Sequence, residues 1–462
     1  YQLRDAQRAP ALRASPAVKD KILRSLPHTL TSAQTRVVDE LTQDLTRDIP
    51  TNRMIQGDVG SGKTMVALFA MLLAVESGHQ AAMMAPTEIL AEQHFSSIRE
   101  MLGDSEVRIR LLTGSITGSE RSAILSQLER GEIDILIGTH ALLTEHVRFQ
   151  SLAVAVIDEQ HRFGVEQRAM LRSKGEDGEG TTPHVVVMTA TPIPRTLSLT
   201  LFGDLDVSVI DELPPGRQPI VTTISPPEDR GAVYEMMRRH VERGEQAYVV
   251  VPAIESEAGV LVGVRDVARE LESTLLSGLR IAAVHGQLKQ KTRDHIMERF
   301  RRGLIDVLVA TTVIEVGVDV PNATVMVIEQ ADRFGLAQLH QLRGRVGRGE
   351  GASRCVLIAE GASTPESQQR LRVMAESSDG FFIAEKDFEI RGPGEIFGSR
   401  QSGMPPFRVA DLSRDTDLLN MARRDAQEWI RLSSGLNRPD ERVLRRRVLK
   451  AHGPWLGIGD VG

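Results

Sequence analysis

The chain has 462 residues, enough for two or three domains, each with its own core. Its net charge of −6 and its 26% charged and 41% hydrophobic residues are those of an ordinary globular protein, which excludes a partner held by an overall basic field. No apolar run reaches the roughly 18 residues of a membrane span, and a single cysteine, Cys355, excludes an intrachain disulfide and suits a reducing compartment.

Residues 1–27 carry mixed charge with Pro10, Pro16 and Pro27, and read as a helical connector. The chain starts at Tyr1 without a methionine or a signal-peptide pattern, so a longer protein extending upstream is expected. From residue 28, short apolar runs alternate with amphipathic stretches: 81–86, 109–112, 134–137, 153–157 and 185–188. That rhythm predicts βαβ units and a parallel sheet covered on both faces. Leu213-Pro214-Pro215-Gly216-Arg217-Gln218-Pro219 can continue neither helix nor strand, and is the expected linker. A second series follows at 220–224, 247–251, 281–284, 307–310, 325–328 and 356–358, where Cys355-Val356-Leu357-Ile358 predicts a buried thiol. Residues 173–180 are expected to form a surface loop without function. Beyond about residue 375 the rhythm gives way to a helical tail. The fold class is therefore α/β, with tandem domains over 28–212 and 213–372 and a mainly helical region over 373–462.

The chemistry is carried by short strings. Gly57-Asp58-Val59-Gly60-Ser61-Gly62-Lys63-Thr64 fits G-x-x-x-x-G-K-[ST], between a strand-like Met54-Ile55-Gln56 and an apolar helix. Its glycines let backbone N–H groups approach a polyphosphate, Lys63 is placed for the β- and γ-phosphates, and the Thr64 hydroxyl for Mg²⁺. Asp158-Glu159 closes an apolar strand, where ligands of open parallel sheets gather. Asp158 is the expected Mg²⁺ ligand and Glu159 the residue that orients and deprotonates the attacking water. Thr87, Thr113 and Thr139 end strands on the same edge, as does Thr189-Ala190-Thr191, and short hydroxyl groups there suit phosphate contacts along a nucleic-acid strand. In Gln341-Leu342-Arg343-Gly344-Arg345-Val346-Gly347-Arg348, glycines bare the backbone around Arg345 and Arg348, which are placed to neutralise charge on a transferring phosphoryl group when two domains close.

Through these residues the chain resembles superfamily 2 helicases and translocases, and among them the bacterial RecG family of ATP-dependent DNA helicases, over roughly residues 28–420. The likeness includes Leu30-Thr31-Ser32-Ala33-Gln34, Ala85-Pro86-Thr87-Glu88-Ile89-Leu90-Ala91-Glu92-Gln93-His94, Gly138–Leu142, Asp158–Gly164, Thr189–Thr196, His285-Gly286, Thr311–Pro321 and Phe334–Gly349. It implies two RecA-like domains with ATP and Mg²⁺ as cofactors. Gln34 would read adenine, His161 and Asp319 would lie near the nucleotide, and Thr311 would lie on the DNA side. Gly380–Gly403, with Gly392-Pro393-Gly394-Glu395, resembles the family's helical-hairpin translocation motif, whose key positions fall on Arg391 and Gln401. The resemblance further implies a monomer acting on double-stranded and branched DNA (stalled forks, Holliday junctions, R-loops) in recombination and repair. A wedge domain upstream of Tyr1, single-strand-binding protein as a further partner, and a cytoplasmic place at the bacterial nucleoid follow from the same likeness.

Five phenylalanines, Phe381, Phe382, Phe388, Phe397 and Phe407, cluster in this stretch and are expected to form a small core that holds the hairpin. Aromatics are otherwise scarce, so a base-stacking track for single strands is not visible and a duplex backbone is favoured. From Arg423 to Lys450 nine Lys/Arg stand against four Asp/Glu, which suits either a DNA contact or a docking or solvated face. Three alternatives are a transcription-repair coupling translocase, a nucleotide-switched DNA-binding protein without motor activity, and a small-molecule kinase. The first needs a polymerase-binding module, the arginines speak against the second, and a second α/β domain in place of a lid speaks against the third.

Overall fold

The computed structural model describes residues 8–159, 181–189, 205–214, 218–252, 261–311, 320–349, 351–359, 364–396, 415–433, 436 and 438–456. The expectations for residues 173–180, His161, Asp319, Gln401, Phe397 and Phe407 lie outside the described residues. By their contacts the residues fall into two units, Tyr1–Gly57, Gly62–Glu212 and Arg391–Gly462 in one, Asp58–Ser61 and Leu213–Ile390 in the other.

The apolar runs of the first unit become strands β1 (Asn52–Gly57), β2 (Gln80–Met84), β3 (Ile109–Leu112), β4 (Ile135–Gly138), β5 (Leu152–Asp158) and β6 (His184–Thr189). A seventh, β7 (Asp206–Ile210), was not foreseen. Its sequence alternates polar and apolar residues, as suits an edge strand half exposed to water, and it pairs with β1 alone. All pairings are parallel, in the order β3-β4-β2-β5-β6-β1-β7. Every residue of β5 is buried, which is why it reads as an unbroken apolar run ending in one acid. The helix Lys63–Glu76 is apolar all round, and Val66–Ala74 are at most 4% exposed.

The second unit holds β8 (Val221–Ser225), β9 (Gln246–Val250), β10 (Ile281–Val284), β11 (Val307–Ala310), β12 (Ala323–Ile328) and β13 (Arg354–Ile358), parallel in the order β10-β11-β9-β12-β13-β8. The two sheets repeat one design, and the repetition extends to side chains. Gln80 opens β2 and donates from Nε2 to Leu128 O (3.0 Å) and Ile133 O (2.7 Å). Gln246 opens β9, the strand in the matching place, and donates from Nε2 to Phe300 O (2.6 Å) and Ile305 O (2.7 Å). Each buried amide satisfies carbonyls at a helix end and the turn after it, groups that the helix itself leaves open. Arg108 clamps Asp134, and Arg280 clamps Asp306, through Nε, Nη2 and the backbone N–H in both cases. β8 stands where β1 stands in the first sheet, yet it runs into Pro226-Pro227-Glu228-Asp229 rather than a glycine loop. The second unit therefore repeats the scaffold without the phosphate loop.

Among the described residues, four helices follow the second sheet, at Pro365–Glu376, Gly380–Ile396, Thr416–Leu432 and Arg442–Leu456. Phe388 is buried as expected, but Phe382 is 40% exposed. It sits one position, about 100° around the helix, from buried Ile383, and the Lys386 ammonium lies 5.7 Å from its ring centroid. Cys355 is fully buried on β13.

Candidate active site

The loop after β1 turns on Gly60 (φ 76°) and Gly62 (φ 82°), left-handed conformations that a side chain resists. Gly62 leads into the helix Lys63–Glu76, which has no side-chain cap and no acid in its first turn, so its N-terminal N–H groups and positive dipole end are left to an anion. Lys63 donates from Nζ to Gly57 O at 2.9 Å, which folds the ammonium back over the loop, and Thr64 is half-buried in the first helical turn. Gln34 comes to the same place from the helix Ser32–Leu45. Its Oε1 accepts from Thr31 N at 2.9 Å while Thr31 Oγ1 accepts from Gln34 N at 3.2 Å, a reciprocal capping box. A Cβ on Gly62 would lie 2.2 Å from Gln34 Nε2, the end of a flexible side chain, so any larger residue there would push the Gln34 amide aside. Beside this helix a cavity of about 550 Å³ is lined by Leu23, Leu26, Pro27, His28, Leu30 and Thr35, among others.

Because β1 and β5 are parallel members of one sheet, the loop and Asp158 emerge at the same edge. Asp158 Oδ2 accepts a hydrogen bond from His94 Nε2 at 2.7 Å. Burial pushes its carboxyl up, but the His94 hydrogen bond and charge, the Lys63 ammonium and the Glu159 backbone N–H together hold it below the ordinary carboxylate range. Glu159 itself adopts φ 56°, a strained conformation for a residue with a side chain, and is half-buried. Sequence reading assigns His94 no role. The signal available in the sequence was its place four residues after Leu90 and four before Ile98, on the stripe that the helix Glu88–Leu102 buries.

The strand-end threonines differ in how they face water. Thr87 is half-buried and caps the helix Glu88–Leu102, accepting from Leu90 N at 3.3 Å. Thr113 and Thr139 are each 1% exposed; Thr113 bonds Ser115 Oγ at 2.7 Å and Thr139 accepts from Ala141 N at 3.4 Å. The residues beside them that do face water are Gly114, Ser115 and His140. Thr311, after β11, is 2% exposed.

By its contacts the loop tip Asp58–Ser61 groups with the second unit, where Asp58 Oδ1 accepts from His340 Nε2 at 2.8 Å. Arg343 Nη2 donates to His340 Nδ1 at 3.1 Å, which fixes the tautomer. Arg343, to which sequence reading assigned no role, is 3% exposed and donates from Nη1 to Met374 O (2.9 Å) and Ser377 O (2.7 Å). Burial holds its guanidinium below the ordinary arginine range. Arg345 is 8% exposed; Arg348 is half-buried and donates to Gly344 O at 3.1 Å. Arg391 is exposed on the helix Gly380–Ile396.

Three family models match the chain in series: DEAD/DEAH box helicase over residues 31–200, helicase conserved C-terminal domain over 230–350, and ATP-dependent DNA helicase RecG, domain 3, C-terminal, over 377–453. The ATP-dependent DNA helicase RecG of Synechocystis is 50% identical over 92% of this chain and 51% of its own length. That of Bacillus subtilis is 47% identical over 93% of this chain and 62% of its own. A solved structure of RecG bound to a three-way DNA junction is 42% identical, with a TM-score of 0.77 over 90% of this chain and 54% of that one. The chain thus spans about half to three fifths of the length of these relatives.

Proposed function

The chain belongs to the RecG family of ATP-dependent DNA helicases, and from that premise we propose that it hydrolyses MgATP to translocate on duplex DNA and, within the full-length protein, remodels branched DNA such as stalled forks, Holliday junctions and R-loops. The observation that carries the reading is the common sheet edge at which the glycine loop, Lys63 and buried Asp158 emerge. Backbone N–H groups of residues 57–63 and the Lys63 ammonium would bind the phosphates, while Gln34 and the neighbouring cavity take the base. The donor set suits Mg²⁺ rather than a soft metal: Thr64 and Asp158 supply hard oxygens, and no group of three or more His, Cys, Asp or Glu that could hold a metal ion occurs among the described residues. Thr64 and Asp158 would hold the ion, which when bound neutralises charge on the phosphates. Glu159 would orient the attacking water and take its proton, and Arg345 and Arg348 would neutralise charge that develops on the transferring group.

DNA phosphates would follow the strand ends at Thr87, Thr113 and Thr139 and the position of Thr311, meeting water-facing Gly114, Ser115 and His140 where Thr113 and Thr139 are themselves buried, with Arg391 and Gln401 converting hydrolysis into movement. His161 and Asp319 are assigned to the nucleotide on family likeness. A monomer at the bacterial nucleoid, with single-strand-binding protein as a partner, completes the proposal; no helix among the described residues is long and apolar enough to cross a membrane.

The test is steady-state ATP turnover of this chain with no DNA, single-stranded DNA, linear duplex and a model fork. Strong stimulation by duplex and fork is expected. Turnover indifferent to DNA both here and in the full-length protein would overturn the motor and leave a nucleotide-switched binding protein.

A further inference from the structure

His94 lies on a helix with two distinct ends of interest. The helix Glu88–Leu102 begins where β2 ends, and in the sheet order β2 lies between β4 and β5. On one side are the strand ends carrying Thr139 and Thr113, the edge assigned above to DNA; on the other is β5 with Asp158. Thr87 caps the first turn, and Glu88 leans over the loop after β3, its Oε1 lying 3.0 Å from where a Cβ on Gly114 would sit. Six residues further, about 9 Å along the axis, His94 donates to Asp158 Oδ2 at 2.7 Å.

The segment between these points is anchored. Leu90 is 7% exposed, and Ala91 and Ile98 are fully buried, so the first two turns shift as one body rather than fraying. His94 shares their stripe and its side chain is 12% exposed, against 13% for Asp158. A buried imidazole filling a core position would be satisfied by any carbonyl. This one is committed to the side chain assigned as the protein's carboxylate ligand to Mg²⁺, which takes one of that carboxylate's two oxygens and orients the other.

We propose that His94 is a positioning residue that ties Asp158 to the helix opening at the DNA edge, so that duplex engaged at Thr87 and Gly114 changes the affinity of the nucleotide site for Mg²⁺. The inference rests on the proposed roles of Asp158 and of the strand-end threonines. Nucleic acid that moves the first helical turn moves Nε2 with it, and the carboxylate follows the hydrogen bond it accepts. The coupling is reciprocal: Mg²⁺ at the site changes duplex binding by the same factor and in the same direction.

The test measures binding of a fluorescent N-methylanthraniloyl-ADP as Mg²⁺ is titrated, with and without linear duplex, on wild type, His94→Ala, His94→Gln and Asp158→Asn, with melting temperatures recorded for each. In wild type the Mg²⁺ midpoint shifts when duplex is present. His94→Ala is expected to raise the midpoint about 10- to 100-fold and to lose the duplex shift, while His94→Gln, whose amide Nε2 also donates, recovers most of both. A His94→Ala variant that titrates and responds to duplex as wild type does would overturn the inference. So would a His94→Gln variant that melts at the wild-type temperature without recovering either effect. Asp158→Asn separates the two layers: loss of Mg²⁺ dependence there beside a wild-type His94→Ala titration sinks the positioning role alone, whereas a wild-type Asp158→Asn titration sinks the ligand assignment on which it stands.

Discussion

Replacing Gly62 by alanine disturbs the phosphate loop through two separable effects. The first is local: a residue at φ 82° pays a left-handed backbone cost of roughly 1–2 kcal/mol once it carries a Cβ. The second is tertiary. The new methyl would sit 2.2 Å from Gln34 Nε2, and that amide ends a flexible side chain, so it swings away instead of deforming the backbone. In leaving, its Oε1 gives up Thr31 N and opens the capping box, a loss of about 1 kcal/mol. Gly62→Ala should therefore destabilise the first unit by roughly 2–3 kcal/mol, and Gln34→Ala alone by about 1. The double variant should fall no lower than Gly62→Ala itself, because the side chain that clashes is already gone. Urea unfolding followed by amide exchange in the helix Ser32–Leu45 reads both quantities. Strict additivity of the two substitutions would refute the shared mechanism, and a Gly62→Ala variant as stable as wild type would refute the backbone argument as well.

Three further outcomes are expected. Lys63→Ala should abolish ATP turnover, and wild-type ATPase in that variant would remove the phosphate-loop assignment. Arg348→Ala should bind ATP nearly as well as wild type while losing about 10³ or more in turnover; a fall in affinity with unchanged turnover would contradict its role. Burial pushes the Cys355 thiol up to about 12, so it stays protonated through neutral pH. Ellman's reagent at pH 8 should leave it unmodified until denaturant is added, and rapid native labelling would show that β13 is not closed over it.

Much of this protein was legible along the chain, for a reason that differs from feature to feature. Strands buried on both faces must be apolar nearly throughout, so β2, β5, β6, β9 and β11 to β13 announced themselves within a residue or two, and the half-buried edge strand β10 did so because its four residues are all apolar. The phosphate loop was legible because its strand, glycines, lysine and helix are contiguous, and local geometry suffices to assemble them. β7 was missed because an edge strand has no need of an apolar run, and Phe382 was misplaced because a cluster in sequence spreads around a helix in space.

What lay beyond the sequence is a set of pairings across long stretches of chain: Gln34 against Gly62, His94 on Asp158 and Arg343 on the carbonyls of Met374 and Ser377. The matched amides of Gln80 and Gln246 belong with them. Each of these residues has an ordinary composition and an unremarkable neighbourhood in sequence. Their partners are chosen by which strand ends and helix turns the sheet order brings side by side, and that order is a property of the folded sheet. Composition and periodicity set the elements because burial acts residue by residue. Only tertiary structure decided which polar groups meet, since a hydrogen bond needs two partners within about 3 Å, and the chain alone does not say which distant residue will be there.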